Sequence, residues 1–291
     1  MRLPSEVIPI RERRATFSVR YGKLDVEDGA FVLVDAEGVR LQIPIGGITC
    51  LMLEPGVTVT HAAVALAADS GTLLLWVGEE GGRVYSAGRS DQGRTDRLIR
   101  QARASLDEDA RTRVVRAMYA YRFQSQPPER RTIEQMRGIE GARVRTLYQT
   151  LARQYGLKWE RRSYDVRDWN RADPLNKALS VANHCLYGIT EAAILTAGYS
   201  PAFGFIHRGK PLSFVYDIAD LFKFTTVVPV AFATIAKGTG NIGHDVRTAC
   251  RDVFRKNHVL DKIIPVIEQM LDASGLPLTD AQADDSAPRG A

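Results

Sequence analysis

The period of the apolar residues changes near position 90, and this limits the fold more than any single motif does. Before it, apolar residues alternate in short runs, as in half-buried strands. Residues 16–21, 24–27, 31–34, 39–43 and 48–53 are strand candidates, and Asp28-Gly29 is a strong hairpin signal. Residues 60–69 predict one helix, whose Ala62, Ala63, Ala67 and Ala68 permit close packing on a sheet. Residues 72–77 read as a buried strand and 84–86 as the last strand. Residues 90–93 are polar and contain glycine, and beyond them the spacing turns helical.

Leu98, Ala102, Leu106, Val114, Val115, Met118, Tyr119, Arg122 and Phe123 predict a helical region that Pro127-Pro128 ends. Thr132 caps a second, which runs through Met136, Ile139, Arg143, Val144, Leu147, Leu151 and Tyr155. Residues 174–198 predict a third, and 245–257 and 260–272 two more. The expected fold class is α+β. A small, mostly antiparallel, β-sandwich-like domain fills residues 1–89, and a larger all-α domain fills residues 90–273. Residues 274–291, rich in Gly, Pro, Asp and Ala, have little to bury and are expected to be a disordered tail.

Bulk composition excludes several classes. The three cysteines, Cys50, Cys185 and Cys250, are far apart, which argues against a disulfide scaffold or a zinc ribbon and fits thiols in a reducing cytosol. The first residues include Glu6, Arg11, Glu12, Arg13 and Arg14 and lack the apolar stretch of a secretory signal. The most apolar stretch, 62–77, is interrupted by Asp69, Ser70 and Gly71, so no membrane span is expected. A cytoplasmic protein is the expectation. The formal net charge of +5 favours a polyanionic partner only mildly.

Two stretches carry candidate chemistry. In Arg137-Gly138-Ile139-Glu140-Gly141-Ala142-Arg143, two glycines sit inside a helical pattern at a cost of about 1 kcal/mol each relative to alanine. Close approach by backbone or ligand is the usual compensation. Glu140 is then either a metal ligand with open space around it or an acid paired with arginine along its own helix. The second stretch runs from Phe203 to Lys223. An apolar run ends at His207, Arg208-Gly209-Lys210-Pro211 forces a turn, and Ser213 is placed to cap an acid-rich helix start. Asp217 and Asp220, three apart, share one side of that helix.

Glu140, His207 and Asp220 together form an O,O,N donor set. Oxygen ligands suit Mg²⁺ or Mn²⁺, and the imidazole leans the set toward Mn²⁺. Asp217 is a fourth ligand or a group that fixes His207 or Lys223. Taken singly, His207 is more often structural, and the two aspartates can serve only the helix N-terminus. Arg137, Arg208, Lys210, Lys223 and Arg247 are candidates to neutralise phosphates. Tyr164, Tyr187 and Tyr216 are candidates to stack on bases, against the plainer reading of core tyrosines. Arg83 and Arg89 lie near the last strand, and Arg83 joins the DNA-binding candidates. The glycine-rich residues 237–243 lack P-loop spacing and read as a flexible loop between helices. Glycosidase chemistry from Glu140 and Asp220 sits poorly with such basic surroundings.

Arg137-Gly138-Ile139-Glu140-Gly141, His207-Arg208-Gly209-Lys210-Pro211-Leu212-Ser213-Phe214 and Val215-Tyr216-Asp217-Ile218-Ala219-Asp220 resemble the CRISPR-associated adaptation integrase family, in the form of type I systems of subtype E. Tyr21-Gly22, Asp28-Gly29-Ala30-Phe31, Met52-Leu53-Glu54-Pro55-Gly56, the stretch from Cys185 to Ile194 and Cys250-Arg251-Asp252-Val253-Phe254-Arg255 agree as well, so the likeness covers about residues 6–272. The resemblance implies a β-sandwich-like domain followed by an all-helical catalytic domain. It also implies a homodimer joined largely through the N-terminal domains. Two such dimers would clasp a dimer of the small companion protein of the adaptation complex. The implied DNA partners are a duplex with single-stranded 3′ overhangs and the CRISPR repeat. The implied activity is metal-dependent integration, with endonuclease activity, in which a 3′-hydroxyl attacks a phosphodiester at the repeat. By this likeness Glu140, His207 and Asp220 are the ligands of Mg²⁺ or Mn²⁺, and Asp217 supports catalysis. Lys223 and Arg247 contact the overhang, Tyr21 wedges against the duplex end, and Tyr187 and Tyr216 line the overhang channel. Arg208 departs from the small polar residue familiar at its position and adds charge. A structure-specific nuclease for branched DNA and a non-enzymatic DNA-binding scaffold remain the alternatives.

Overall fold

The computed structural model describes residues 15–43, 45, 48–79, 83–88, 95–128, 130–162 and 173–278. Strands β1 (Ala15–Val19), β5 (Ile48–Leu53), β7 (Leu73–Val77) and β8 (Val84–Ala87) form one sheet in that order. Strands β4 (Arg40–Ile43), β3 (Ala30–Val34), β2 (Gly22–Glu27) and β6 (Val57–Val59) form the second. The Asp28-Gly29 hairpin signal holds: both residues have positive φ, 50° and 75°, as a two-residue turn matched to strand twist requires. It sets Val26 opposite Phe31. The pairing is mixed, where mostly antiparallel strands were expected: β1 with β5, β5 with β7 and β2 with β6 run parallel. For β5 and β7 the reason is helix α1 (His61–Ser70), which lies on the connection between them and returns the chain in the same direction. Thr60 caps α1, and Gly71 ends it at φ 69°.

Strand β5 is buried on both faces. Leu51 and Leu53 join a core between the sheets, with Leu24, Phe31 and the α1 residues Ala63 and Ala67. Cys50 and Met52 point the other way and pack with Leu75, Val77 and Ala192. Ala192 belongs to α5 (Pro174–Thr196), so this face of the sheet rests on the helical region.

The helical region is α2 (Thr95–Leu106), α3 (Glu108–Phe123), α4 (Ile133–Gln154), α5, α6 (Ser213–Phe222), α7 (Val227–Lys237), α8 (Ile242–Lys256) and α9 (Val259–Asp272). The helical pattern over 98–123 is two helices, because the Asp107 carboxylate accepts from Ala110 N and starts α3 anew. Thr132 caps α4 in a reciprocal capping box with Gln135. Asp173 caps α5, with Pro174 in its first turn.

Three further sequence expectations change. Ser213 opens α6 without capping it. Its hydroxyl donates to Lys210 O (2.9 Å) and accepts from Lys210 N (3.0 Å), and the first turn holds no acid. The glycine-rich loop stops at Asn241, whose side chain caps α8, so Gly243 is helical. Ser274 is fully buried and its carbonyl accepts from Arg113 (2.7 Å), while Leu276 O accepts from Arg100 (2.8 Å). The chain is therefore ordered to residue 278, and the rest of the expected tail lies outside the described residues, as do Tyr164, Arg89 and the boundary at 90–93. Among the described residues no single helix is long and apolar enough to cross a membrane.

Candidate functional site

The segment before α6 is fixed from both sides. Gln101 on α2 donates to the carbonyls of Ser200 (2.9 Å) and Phe203 (3.0 Å) and accepts from Ser200 N (2.8 Å). Ser105 donates to Gly204 O at 2.9 Å, and Arg111 on α3 donates to Phe205 O at 2.8 Å. From the other side Asp217, fully buried on α6, gathers the turn. Its Oδ2 accepts from Phe205 N (2.5 Å) and Ile206 N (3.0 Å), and its Oδ1 from His207 N (2.9 Å) and His207 Nδ1 (2.7 Å).

Asp217 spends both oxygens on the backbone and ring of this turn, which fits a group that fixes His207. A carboxylate partner makes Nδ1 the protonated nitrogen, so in the neutral imidazole Nε2 keeps its lone pair. The His207 side chain is 32% exposed. The hydrogen bond to Asp217 raises its pKa above the ordinary imidazole value, against the opposing effect of burial.

One turn beyond Asp217, Asp220 meets two cations. Lys223 Nζ bonds its Oδ1, and Arg122 Nη1 lies 3.3 Å from its Oδ2. Burial alone would push the Asp220 carboxyl up, but Lys223 and Arg122 outweigh it and hold the group below the usual carboxylate range. The same Arg122 Nη1 bonds Glu140 Oε1, and the Tyr119 hydroxyl donates to Glu140 Oε2 at 3.0 Å. Burial and the Glu140 carboxylate push the Tyr119 hydroxyl well above the tyrosine range, so it stays a donor at neutral pH. Glu140 thus finds these partners on α3, where a pairing along its own helix was the plainer expectation. A Cβ on Gly138 would meet nothing within 4 Å, and one on Gly141 only Arg145 Nη1 at 3.9 Å, so protein packing does not require these glycines.

The aromatic candidates complete the line of contacts. The Tyr216 ring stands edge-on to His207 (centroids 5.8 Å) and to Tyr187 (5.1 Å). Lys223 Nζ reaches the Tyr187 hydroxyl at 3.4 Å. Glu140, His207, Asp217, Asp220, Lys223, Tyr187 and Tyr216 therefore lie in one neighbourhood, with exposed Arg137 on the α4 turn before Glu140. Others stand apart. Arg208 pairs with Glu108 (3.4 Å), Arg247 with Glu79 (3.0 Å) beyond β7, and Arg83 lies over the Tyr85 ring at 5.7 Å. Lys210 is exposed on the turn before α6, and Tyr21, 67% exposed, stands at the bend between β1 and β2.

Sequence reasoning missed Tyr119 and Arg122. The available signal was phase: an arginine falls in step with the buried Val115, Met118 and Tyr119, on a face where a charge needs a partner.

Among the described residues no three His, Cys, Asp or Glu side chains are gathered closely enough to hold an ion as they stand. What lies between Glu140 and Asp220 is Arg122 Nη1. The donor chemistry nevertheless fits a hard divalent cation: two carboxylates share one cationic nitrogen, and a neighbouring imidazole has Nδ1 committed. Carboxylates and an imidazole beside buried cations define a class of site suited to phosphodiesters.

The family model for CRISPR associated protein Cas1 matches residues 18–127 and 120–264. A CRISPR-associated endonuclease Cas1 of Geobacter sulfurreducens is 57% identical over 273 residues, covering 94% of this chain and 89% of the relative. One of Escherichia coli K12 is 54% identical over 284 residues, covering 96% and 93%. The crystal structure of a TtCas1–DNA complex superposes with a TM-score of 0.81 at 41% identity, covering 90% of this chain and 97% of that one. The chain belongs to the Cas1 family of CRISPR-associated proteins. It is an enzyme of the nuclease and integrase kind that serves spacer acquisition.

Proposed function

We propose that this chain is the adaptation integrase of a type I, subtype E CRISPR system. It joins protospacer 3′-hydroxyl ends into the leader-proximal repeat by transesterification. The observation that carries the reading is the convergence of α3, α4, α6 and the turn before α6. Together they set Glu140 and Asp220 on one cation and orient His207 through Asp217. Glu140, Asp220 and His207 Nε2 would hold Mg²⁺ or Mn²⁺. A divalent ion supplies Lewis acidity there, polarising the phosphodiester under attack.

The protein's own groups account for the rest. Asp217 fixes the imidazole plane and keeps the Nδ1 proton. Burial lowers the Lys223 pKa and the adjacent Asp220 raises it further than burial lowers it, so its ammonium stays charged beside the phosphate. Tyr187 and Tyr216 offer ring faces and edges to an unpaired 3′ overhang. Arg137, Arg208 and Lys210 supply charge around the α4 and α6 turns, and Arg83, Arg247 and Tyr21 would engage more distant parts of the DNA. Transesterification exchanges one phosphodiester for another, so no nucleotide triphosphate is needed. The reading also includes a cytoplasmic protein with domains divided near residue 90. Its assembly is a homodimer, two of which flank a dimer of the small companion protein.

The test is Mn²⁺-dependent joining of a labelled 3′ end into supercoiled repeat DNA, with and without the companion. Joined product that rises with the companion and is lost in Glu140→Ala, His207→Ala and Asp220→Ala, while DNA binding persists, is the expected result. Nicking without joined product would replace the reading with a branched-DNA nuclease. Joining by Asp220→Ala at the wild-type rate would remove the site assignment.

A further inference from the structure

Arg122 is the residue of this neighbourhood for which strand joining, as proposed, has no task. It enters from α3 with a side chain only 7% exposed. Among the described residues its hydrogen bonds go to Glu140 Oε1 and Asp220 Oδ2, both from the single nitrogen Nη1, and its buried Nε has no partner. A structural arginine normally spends its planar fork on several fixed acceptors. This one spends one corner of the fork on the two acids assigned to the metal. Its guanidinium carbon lies 5.4 Å from the Phe123 ring centre and 5.7 Å from that of Phe224.

Two carboxylates held this near each other in a buried place cannot both stay ionised without a cation between them. A bound divalent ion meets that need, and so does a guanidinium. A divalent ion on those oxygens repels a guanidinium hydrogen-bonded to them, so the two compete. Lys223 does not compete in this way, because it bonds the other oxygen of Asp220.

We propose that Arg122 is a built-in stand-in for the ion. Its guanidinium holds Glu140 and Asp220 together while no ion is bound, and it yields both oxygens when the ion arrives. The inference rests on Glu140, His207 and Asp220 being the metal set. Release costs Arg122 its two charge-assisted hydrogen bonds, a loss that the faces of Phe123 and Phe224, already beside the guanidinium, offset in part. Two consequences follow. The acids are not left as an uncompensated pair between metal-binding events, and the site binds metal more weakly than its donors alone would allow. Arrival of the ion also turns a charge-balanced pocket into a positive one that still contains Arg122 and Lys223, which favours the incoming phosphodiester only after loading.

The test is calorimetric titration of Mn²⁺ into the full-length protein for wild type, Arg122→Gln, Arg122→Lys and Asp220→Asn. Thermal unfolding of each in EDTA and in saturating Mn²⁺ accompanies it. Arg122→Gln is expected to bind Mn²⁺ about tenfold more tightly than wild type, because the ion no longer displaces a paired cation. It should unfold at a lower temperature than wild type in EDTA, with the gap closing in Mn²⁺. Arg122→Lys should fall between the two in both measurements, a compact ammonium being a poorer bridge than a guanidinium. A merely structural arginine gives the opposite pattern: equal destabilisation with and without the ion, and Mn²⁺ affinity unchanged or reduced. That result overturns the inference. If Arg122→Gln does not fold, an Arg122→Lys affinity at or below wild type overturns it. Equal Mn²⁺ binding by wild type and Asp220→Asn refutes the metal set itself, and the inference with it.

Discussion

A methyl group added at Gly204 would lie 2.2 Å from the His207 carbonyl oxygen and 2.8 Å from Ser213 Cβ. The backbone has little room to retreat, since Gln101, Ser105, Arg111 and Asp217 all hold this turn. Gly204→Ala is therefore expected to destabilise the protein by about 1–3 kcal/mol, the usual cost of overpacking, and to abolish joining by displacing His207. Urea unfolding checks the first part, and an unchanged midpoint would refute it. The candidate acids and the imidazole were legible as residue types in a suggestive order. Their partners were not. Arg122 looked like one more position in a helical pattern, because a sequence shows the phase of a side chain but not the helix it faces. Asp217 likewise stood open between ligand and anchor until the three backbone N–H groups around it were seen.

At the scale of elements, α4 and α5 were readable at their starts, α4 from its Thr132 cap and α5 from Pro174, and the structure adds Asp173 as the cap of α5. Helix α7 was not. Thr226 makes no capping bond, and Val227-Val228-Pro229-Val230 is an apolar run with no clear period, with a proline placed in the first turn where its missing N–H costs nothing. In α4, Gly138 has helical surroundings and open space at its Cβ position. Gly138→Ala should stabilise the fold by about 0.5–1 kcal/mol, and it should weaken DNA binding if the open space serves the nucleic acid. A variant that is more stable and binds DNA as wild type does would leave the glycine without a functional role. In α5, burial raises Glu191 from 4.5 to about 7, opposed by Arg83. The folded state thus keeps a proton that the unfolded chain releases, so stability is lost as pH rises from about 4.5 to about 7. Glu191→Gln is expected to stabilise by about 1 kcal/mol at pH 8, after allowance for solvent screening, and to be nearly neutral at pH 4.5. Parallel unfolding curves at both pH values would contradict this.

Across the whole molecule, α5 joins the two regions. Its Ala192 packs against the outer face of β5 and β7, while most of its length is core to the helices around the site. The mixed pairing of the sheets was hidden in the sequence because alternation reveals which face of a strand is buried, not which way its neighbour runs. Arg247 and Glu79 make a second link between the regions, and this pair occupies a cation assigned to DNA. Removing the acid should free it: Glu79→Gln is expected to tighten DNA binding, whereas Arg247→Ala should weaken it and reduce the salt slope by about 1. Equal slopes for wild type and Arg247→Ala would count against a phosphate contact.

The most direct test of the account is anomalous diffraction from crystals of the protein grown with Mn²⁺. The account predicts one peak within about 2.0–2.4 Å of a Glu140 oxygen, an Asp220 oxygen and His207 Nε2, with Arg122 withdrawn from both acids. Arg122 still bridging Glu140 and Asp220 at saturating Mn²⁺, or a peak that touches none of the three, would contradict it.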